Sequence, residues 1–230
     1  MKEKVVSLLS GGLDSFAYSV IWEERGYEIY SLIFDYGQSH RKEVEVAKKL
    51  SNERGWKYKI VKLNLNELAT SSLLSNNEKG EFDKSIIVPL RNAIFLTIAS
   101  SYAYSIGARD VIFGASLEDI VPDTNKSNNN LYFSTFPDCS PEFTLALELA
   151  VNLGFGRYER GIKFHSPAME GLSKADLIRR FKFSNFPNEL FETWSCYNNG
   201  EKQCGKCLAC QLRRRAFRDA GVEDLTGYES

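Results

Sequence analysis

The chain has 230 residues, 43% of them hydrophobic and 26% charged, with a formal net charge of −1 at pH 7. That length suits one α/β domain with an appendage and a core that needs no disulfides. The balanced charge gives no general attraction for nucleic acid, and no apolar run is as long as a membrane span. Met1-Lys2-Glu3-Lys4 lacks a signal-peptide pattern, so a cytoplasmic location is expected.

Val5-Val6-Ser7-Leu8-Leu9 reads as a buried strand and Phe16 to Glu24 as the helix after it. Between them stands Ser10-Gly11-Gly12-Leu13-Asp14-Ser15. A glycine-rich turn between strand and helix aims backbone N–H groups at whatever fills it, and the helix start adds partial positive charge. Gly11 and Gly12 permit close backbone approach, while Ser10 and Ser15 add hydroxyls. No lysine follows, so this is not the GxxxxGK[ST] loop of kinases and GTPases. The run resembles the SGGxDS PP-loop of ATP pyrophosphatases. The resemblance implies that the loop holds the β,γ-pyrophosphate of ATP while an oxygen nucleophile attacks the α-phosphorus.

A second strand is expected over Ile29–Phe34, followed by Asp35-Tyr36-Gly37-Gln38-Ser39-His40. Asp35, Tyr36, Gln38 and His40 offer hydrogen-bonding groups for the adenosine end of a nucleotide; His40 reads equally as a helix cap or packed surface residue. Lys42–Arg54 has helical periodicity and Lys57–Leu63 alternates as a third strand. This βαβαβ order implies a parallel sheet with right-handed crossovers. Residues 64–85 are Ser/Asn-rich and read as loop.

Asn92–Ile106 is apolar almost all round, which marks a buried helix, and Val88-Pro89-Leu90-Arg91-Asn92 opens it. A cation at a helix start opposes the dipole, so Arg91 is expected to face an external anion. Val111-Ile112-Phe113 is a fourth strand ending at Gly114, and residues 120–135 have loop composition. In the turn Phe136-Pro137-Asp138-Cys139, Asp138 either caps the helix expected over Glu142–Leu153 or binds substrate. Ile162–His165 is a fifth strand. Ser173, with Asp176 three residues on, caps a helix through Phe181, and Lys174 brings a second cation to a helix start. Ligands of a doubly wound sheet sit beyond the strands' C-terminal ends where strand order reverses, so the residues after strands one, two and four are expected to share a crevice.

Four of the five cysteines, Cys196, Cys204, Cys207 and Cys210, follow the spacing Cys-x7-Cys-x2-Cys-x2-Cys. That pattern suits a tetrahedral structural zinc, with an iron–sulfur cluster second, and Gly200 and Gly205 as turns around it. The basic run Arg213–Arg218 reads as a solvated helical face rather than a nucleic-acid contact.

Together these motifs identify the chain as a member of the 7-cyano-7-deazaguanine synthase family of queuosine-precursor synthesis. The resemblance rests on the Ser10–Ser15 and Asp35–His40 runs, Val88-Pro89-x-Arg91-Asn92, Gly114 with Asp119, and Pro137-Asp138-Cys139. It continues through Ser173-Lys174-Ala175, Thr193–Tyr197, the cysteines and Arg213. It implies a doubly wound α/β sheet over residues 1–190, with a zinc segment and basic helix over 191–230. The implied reaction converts 7-carboxy-7-deazaguanine and ammonia to the nitrile with ATP and Mg²⁺, in a homodimer. By the same resemblance, Asp14, Arg91 and Lys174 are catalytic. ATP contacts extend over Ser10–Ser15, Asp35, Tyr36, Gln38, His40, Arg91, Asn92, Gly114 and Lys174. Asp119, Asp138 and Cys139 would bind the base.

Three features depart from the family pattern: Leu90 stands where a small residue is usual, Ser140 where arginine often follows, and residues 120–135 lengthen the spacing before Pro137. They leave alternatives open. One is a paralogue joining the activated acid to another amine, such as one on a protein in a bacterial defence pathway. Others are a tRNA-modifying PP-loop enzyme and a non-catalytic zinc module.

Overall fold

The structure is a computed structural model and describes residues 2–38, 41–65, 88–120, 136–155, 161–182 and 187–229. Strand β1 (Lys4–Leu8) leads into α1 (Leu13–Glu24), then β2 (Glu28–Asp35), α2 (Lys42–Glu53) and β3 (Lys57–Lys62). Next come α3 (Arg91–Ile106), β4 (Asp110–Ile112) and the short α4 (Leu117–Ile120). A 3-10 turn (Pro137–Cys139) precedes α5 (Pro141–Phe155), β5 (Lys163–His165) and α6 (Lys174–Arg179). A second 3-10 turn (Asn188–Glu192) and α7 (Leu208–Ala220) complete the order. The loops expected over 64–85 and 120–135 fall almost wholly outside the described residues, as do Ser39 and His40.

The five strands lie in the order β3-β2-β1-β4-β5, and every neighbouring pair is parallel. Strand order therefore reverses between β1 and β4, and the Ser10–Ser15 loop and Gly114 leave adjacent strand ends there. β1 and β2 are covered on both faces, which is why they read as continuous apolar runs: Val5, Val6, Leu32 and Ile33 are all buried. β3 is an edge strand, and exposed Lys57, Lys59 and Lys62 blunt it against pairing with another chain.

Helices cover both faces. On one, α1, α2, α6 and α7 pack in a single core that includes Phe16, Leu50, Ile178 and Phe217. The four clustered cysteines belong to that core. On the other, α3 and α5 cover Val6, Val111, Phe113 and Phe164. Each fully buried large apolar side chain contributes roughly 1.5–3 kcal/mol.

Two ends show how the helices are set. The capping box expected at Ser173 is formed: its Oγ accepts from Asp176 N at 3.1 Å, and Ser173 N donates to Asp176 Oδ2 at 3.0 Å. The start of α3 is strained. Leu90, its N-cap, has φ +57°, the one positive φ of a non-glycine among the described residues. A side chain there costs roughly 1–2 kcal/mol relative to glycine.

The basic run needs correction. Arg213 is only 1% exposed and does not lie on a solvated face. Its guanidinium donates to Thr193 Oγ1, Thr226 Oγ1 and Leu190 O, at 2.6, 3.0 and 2.6 Å. Arg214, Arg215 and Arg218 are exposed, as expected.

Candidate active site

The loop after β1 is built from its serines and glycines. Ser15 Oγ accepts from Ser10 N at 3.2 Å and lies 3.0 Å from Ser10 Oγ, which accepts from Gly12 N at 3.2 Å. Gly11 has φ +87°, and a Cβ there would stand 2.4 Å from Glu43 O, so α2 packs directly on the loop. Gly12 caps α1 with no side-chain hydrogen bond, leaving the loop's centre to backbone groups. Gly114 is needed for a different reason: a Cβ would lie 2.7 Å from Ser15 N, so the end of β4 touches the start of α1.

Asp14, in the first turn of α1, meets Lys174, in the first turn of α6. Lys174 Nζ donates to Asp14 Oδ2 at 2.5 Å and to Ser116 Oγ at 2.9 Å, with Asp119 Oδ2 3.9 Å away. Burial pushes the Asp14 carboxyl up to about 6, with Lys174 only partly offsetting it. Burial works against the charge of Lys174 too, but Asp119 and Asp14 outweigh it and hold the ammonium above its ordinary range. Asp14 Oδ1 is buried without a hydrogen-bond partner. An orphaned carboxylate oxygen beside an anion loop fits a hard divalent cation such as Mg²⁺.

Two residues absent from the sequence reading complete this cluster. Ser116 Oγ links Lys174 to Asp119, whose Oδ2 also accepts from Ser116 N at 2.8 Å. Both carboxylate oxygens of Glu118 accept from Lys174 N, at 3.0 and 3.1 Å, and so hold the start of α6. The Ser-x-x-Asp spacing of Ser116 and Asp119 is itself a helix-start signature that could have drawn attention to Ser116.

The residues after β2 form a second group. Gln38 spends both ends of its amide on the backbone, accepting from Tyr36 N at 2.8 Å and donating to Phe34 O at 3.1 Å. It shapes the turn rather than projecting from it. Asp35 ends β2, and its carbonyl accepts from Leu63 N. Tyr36 is buried, and its hydroxyl accepts from Arg91 Nη1 at 2.9 Å. Arg91 therefore rests over the rings of Tyr36 and Phe95 at the start of α3.

Asp138 caps a helix, but not the expected one. Its Oδ2 accepts from Asn92 N at 3.0 Å, at the start of α3, while Ser140 Oγ accepts from Phe143 N and caps α5. Ser140 thus has a structural task of its own. Asn92 Nδ2 also donates to Asp138 O at 3.3 Å and reaches Cys139 Sγ at 3.2 Å. Burial, reinforced by Asp119 and Asp138, raises the Cys139 thiol far above its ordinary range, so it stays protonated.

The sulfurs of Cys196, Cys204, Cys207 and Cys210 are buried, unbridged and within 4.8 Å of one another. Backbone N–H groups of Cys204 and Cys207 point at Cys196 Sγ and Cys204 Sγ, each at 3.3 Å. A zinc tetrahedron with bonds of ~2.3 Å fits such a set. Gly205 makes the turn expected of it, with φ +68°, and the chain also bends at Gly200, where a Cβ would meet Glu229 and Lys202.

The segments after β1 and β4 thus meet through Asp14, Ser116, Asp119 and Lys174, and those after β2 meet the start of α3 through Tyr36 and Arg91. The family profile for queuosine biosynthesis protein QueC matches residues 4–221. A 7-cyano-7-deazaguanine synthase of Thermoplasma volcanium is 40% identical over 99% of this chain and 92% of its own length. One from Clostridium kluyveri is 36% identical over 99% of this chain and 98% of its own. A solved 4-thiouridine synthetase–RNA complex with bound ATP shares the fold, with TM-score 0.50 and 19% identity over 95% of this chain and 50% of that one. With its PP-loop, its parallel sheet and its cysteine cluster all in place, the chain belongs to the QueC family of queuosine biosynthesis proteins.

Proposed function

We propose that the chain converts 7-carboxy-7-deazaguanine and ammonia into 7-cyano-7-deazaguanine, using two molecules of ATP. The observation that carries this reading is the Asp14–Lys174–Ser116–Asp119 cluster beside the PP-loop, in a chain 40% identical to a synthase of that name. Neither a different amine acceptor, nor tRNA modification, nor a non-catalytic module is favoured by the relatives.

The substrate carboxylate attacks the α-phosphorus of the first ATP, giving an acyl-adenylate and pyrophosphate. Ammonia displaces AMP and leaves an amide. The amide oxygen attacks the α-phosphorus of a second ATP, releasing pyrophosphate, and loss of AMP and of the amide's two protons gives the nitrile. The protein's task is to hold the leaving pyrophosphate and align the nucleophile. The loop from Ser10 to Ser15 receives the pyrophosphate, and the Lys174 ammonium balances its charge. Arg91, at the start of α3, faces the phosphates from the other side. Asp35, Tyr36 and the turn held by Gln38 receive adenosine. Asp119 and Asp138 accept N–H groups from the base, with Cys139 packed beside them. Mg²⁺, when bound, would be held by Asp14 and neutralise phosphate charge. Zinc, when bound, would be held by the four thiolates as a tie with no open position. The protein acts as a homodimer, as the family resemblance implies.

The test is mass spectrometry of products from protein, ATP, Mg²⁺, ammonium and 7-carboxy-7-deazaguanine. Nitrile with AMP and pyrophosphate is expected, and Lys174→Gln lowers kcat by about 100- to 1000-fold, as removal of a preorganised charge does. AMP without nitrile would redirect the search to another amine. Absence of substrate-dependent ATP cleavage by zinc-loaded protein would overturn the deazaguanine reading.

A further inference from the structure

Ser116 is fully buried between two groups of opposite charge. Its Oγ accepts from Lys174 Nζ at 2.9 Å and donates to Asp119 Oδ2 at 3.1 Å. Its backbone N donates to the same carboxylate oxygen at 2.8 Å. A serine hydroxyl has one proton to give. Here that proton goes to Asp119 and the ammonium meets a lone pair, so the run from Lys174 through Ser116 to Asp119 has one direction. Lys174 Nζ and Asp119 Oδ2 stand 3.9 Å apart, beyond direct hydrogen-bond reach. The Ser116 hydroxyl bridges that gap.

The backbone around this hydroxyl is held without it. Ala115 O accepts from Ala168 N at 2.8 Å, and Leu117 N donates to Leu172 O at 3.1 Å. Both carboxylate oxygens of Glu118 accept from Lys174 N, and the Ser173 capping box fixes the start of α6. Removing the hydroxyl therefore leaves the segment before α4 and the start of α6 in place. What the hydroxyl adds is the direction of two charged side chains. In a buried run of hydrogen bonds each bond polarises the next, so the two strengthen and weaken together. A phosphate that draws the Lys174 ammonium from Ser116 weakens the donation to Asp119. The carboxylate then keeps more charge for the N–H groups of a base. In the other direction, N–H groups arriving at Asp119 loosen the hold of Ser116 on the ammonium and free it for phosphate.

We infer that Ser116 is a positioning residue that couples the two halves of the site, so that ATP phosphates at Lys174 and the deazaguanine base at Asp119 each tighten the binding of the other. The inference rests on the function proposed above, which gives those two residues their ligands. Such coupling is reciprocal and can be read from either ligand.

Isothermal titration calorimetry of the full chain tests it, with Mg²⁺ and the unreactive α,β-methylene analogue of ATP. The Kd of the analogue is measured with and without saturating 7-carboxy-7-deazaguanine. In the wild type the acid is expected to tighten the analogue by about 10-fold, a usual size for coupled sites. Ser116→Ala lowers that factor to about 2-fold, the remainder coming from the unlinked charges, and Ser116→Thr, which keeps a hydroxyl, restores it. A merely structural Ser116 would lower the affinities and leave the factor unchanged. Circular dichroism checks folding; should Ser116→Ala not fold, Ser116→Cys, a weaker donor of similar size, is read in its place. No tightening in the wild type, or an equal factor in the variant without the hydroxyl, overturns the inference alone. A wild type that binds neither ligand overturns the proposed function and the coupling with it.

Discussion

The backbone N–H of Trp194 donates to the carbonyl of Gly11 at 2.8 Å. The segment that carries the cysteines is thereby tied to the PP-loop, two residues before Cys196. If the four thiols hold zinc as proposed, removing it is expected to loosen that tie. Chelation should lower Tm by about 10 °C or more and raise the KM for ATP. Differential scanning calorimetry with matched metal analysis checks this; unchanged melting in metal-free protein would show that the thiols hold the fold unaided.

Gly114 tests how closely the end of β4 and the start of α1 must approach. A Cβ would lie 2.7 Å from Ser15 N and 2.9 Å from Ser15 Cα, backbone atoms that cannot swing aside. Gly114→Ala is expected to cost about 1–3 kcal/mol through overpacking and to weaken ATP binding with it. Urea unfolding and nucleotide titration of the same preparation read the two effects. ATP affinity at the wild-type level would show that the loop tolerates displacement.

Arg213 separates a structural role from a nucleic-acid role. Burial draws its guanidinium below the ordinary range, and its hydrogen bonds fasten α7 to the second 3-10 turn and to Thr226. Arg213→Ala should cost about 2–4 kcal/mol, since several buried acceptors lose their donor together. Arg218→Ala, at a 75% exposed side chain, should change stability by less than about 0.5 kcal/mol. Equal thermal shifts in the two variants would contradict this division.

Glu170 makes acid stability predictable in sign. Burial pulls its carboxyl upward, but hydrogen bonds from Arg25 and Tyr18 outweigh it and hold it below the ordinary 4.5. Tyr18 Oη donates at 2.5 Å and Arg25 Nη2 at 3.0 Å. A depressed carboxyl stabilises the folded state above its unfolded value and loses that contribution as pH falls through its folded value. Tm should therefore drop on acidification from about pH 5 to 3 more steeply in the wild type than in Glu170→Gln. Parallel Tm curves would remove Glu170 from the acid transition.

Local chemistry made much of this legible. The apolar run of β1, the SGGLDS turn, the capping box at Ser173 and the cysteine spacing each lie within a few residues of one another, and the parallel sheet followed from their order. Relations across the chain were not legible. Asp138 lies three residues before α5, whose start one of its two readings had it cap, yet its carboxylate serves Asn92, 46 residues away. Arg213 sits among arginines that do face solvent, and only the tertiary packing of Thr193, Leu190 and Thr226 shows that it does not. Gly114 was expected at the nucleotide site for its place after β4; the need for glycine there comes from Ser15, in the helix after the neighbouring strand β1. Ser116 carried a readable helix-start spacing, but its bond to Lys174 spans 58 residues.

The pairing of Asp14 with Lys174 spans 160 residues. A chain still emerging from the ribosome can form β1 and the loop after it early, yet Asp14 has no Lys174 to pair with until α6 is made. The tie from Trp194 forms later still. On the proposed function, a nascent chain thus carries the loop without the Lys174 ammonium that balances the pyrophosphate charge. On that reading, firm occupancy of the loop becomes a late event in the life of the chain.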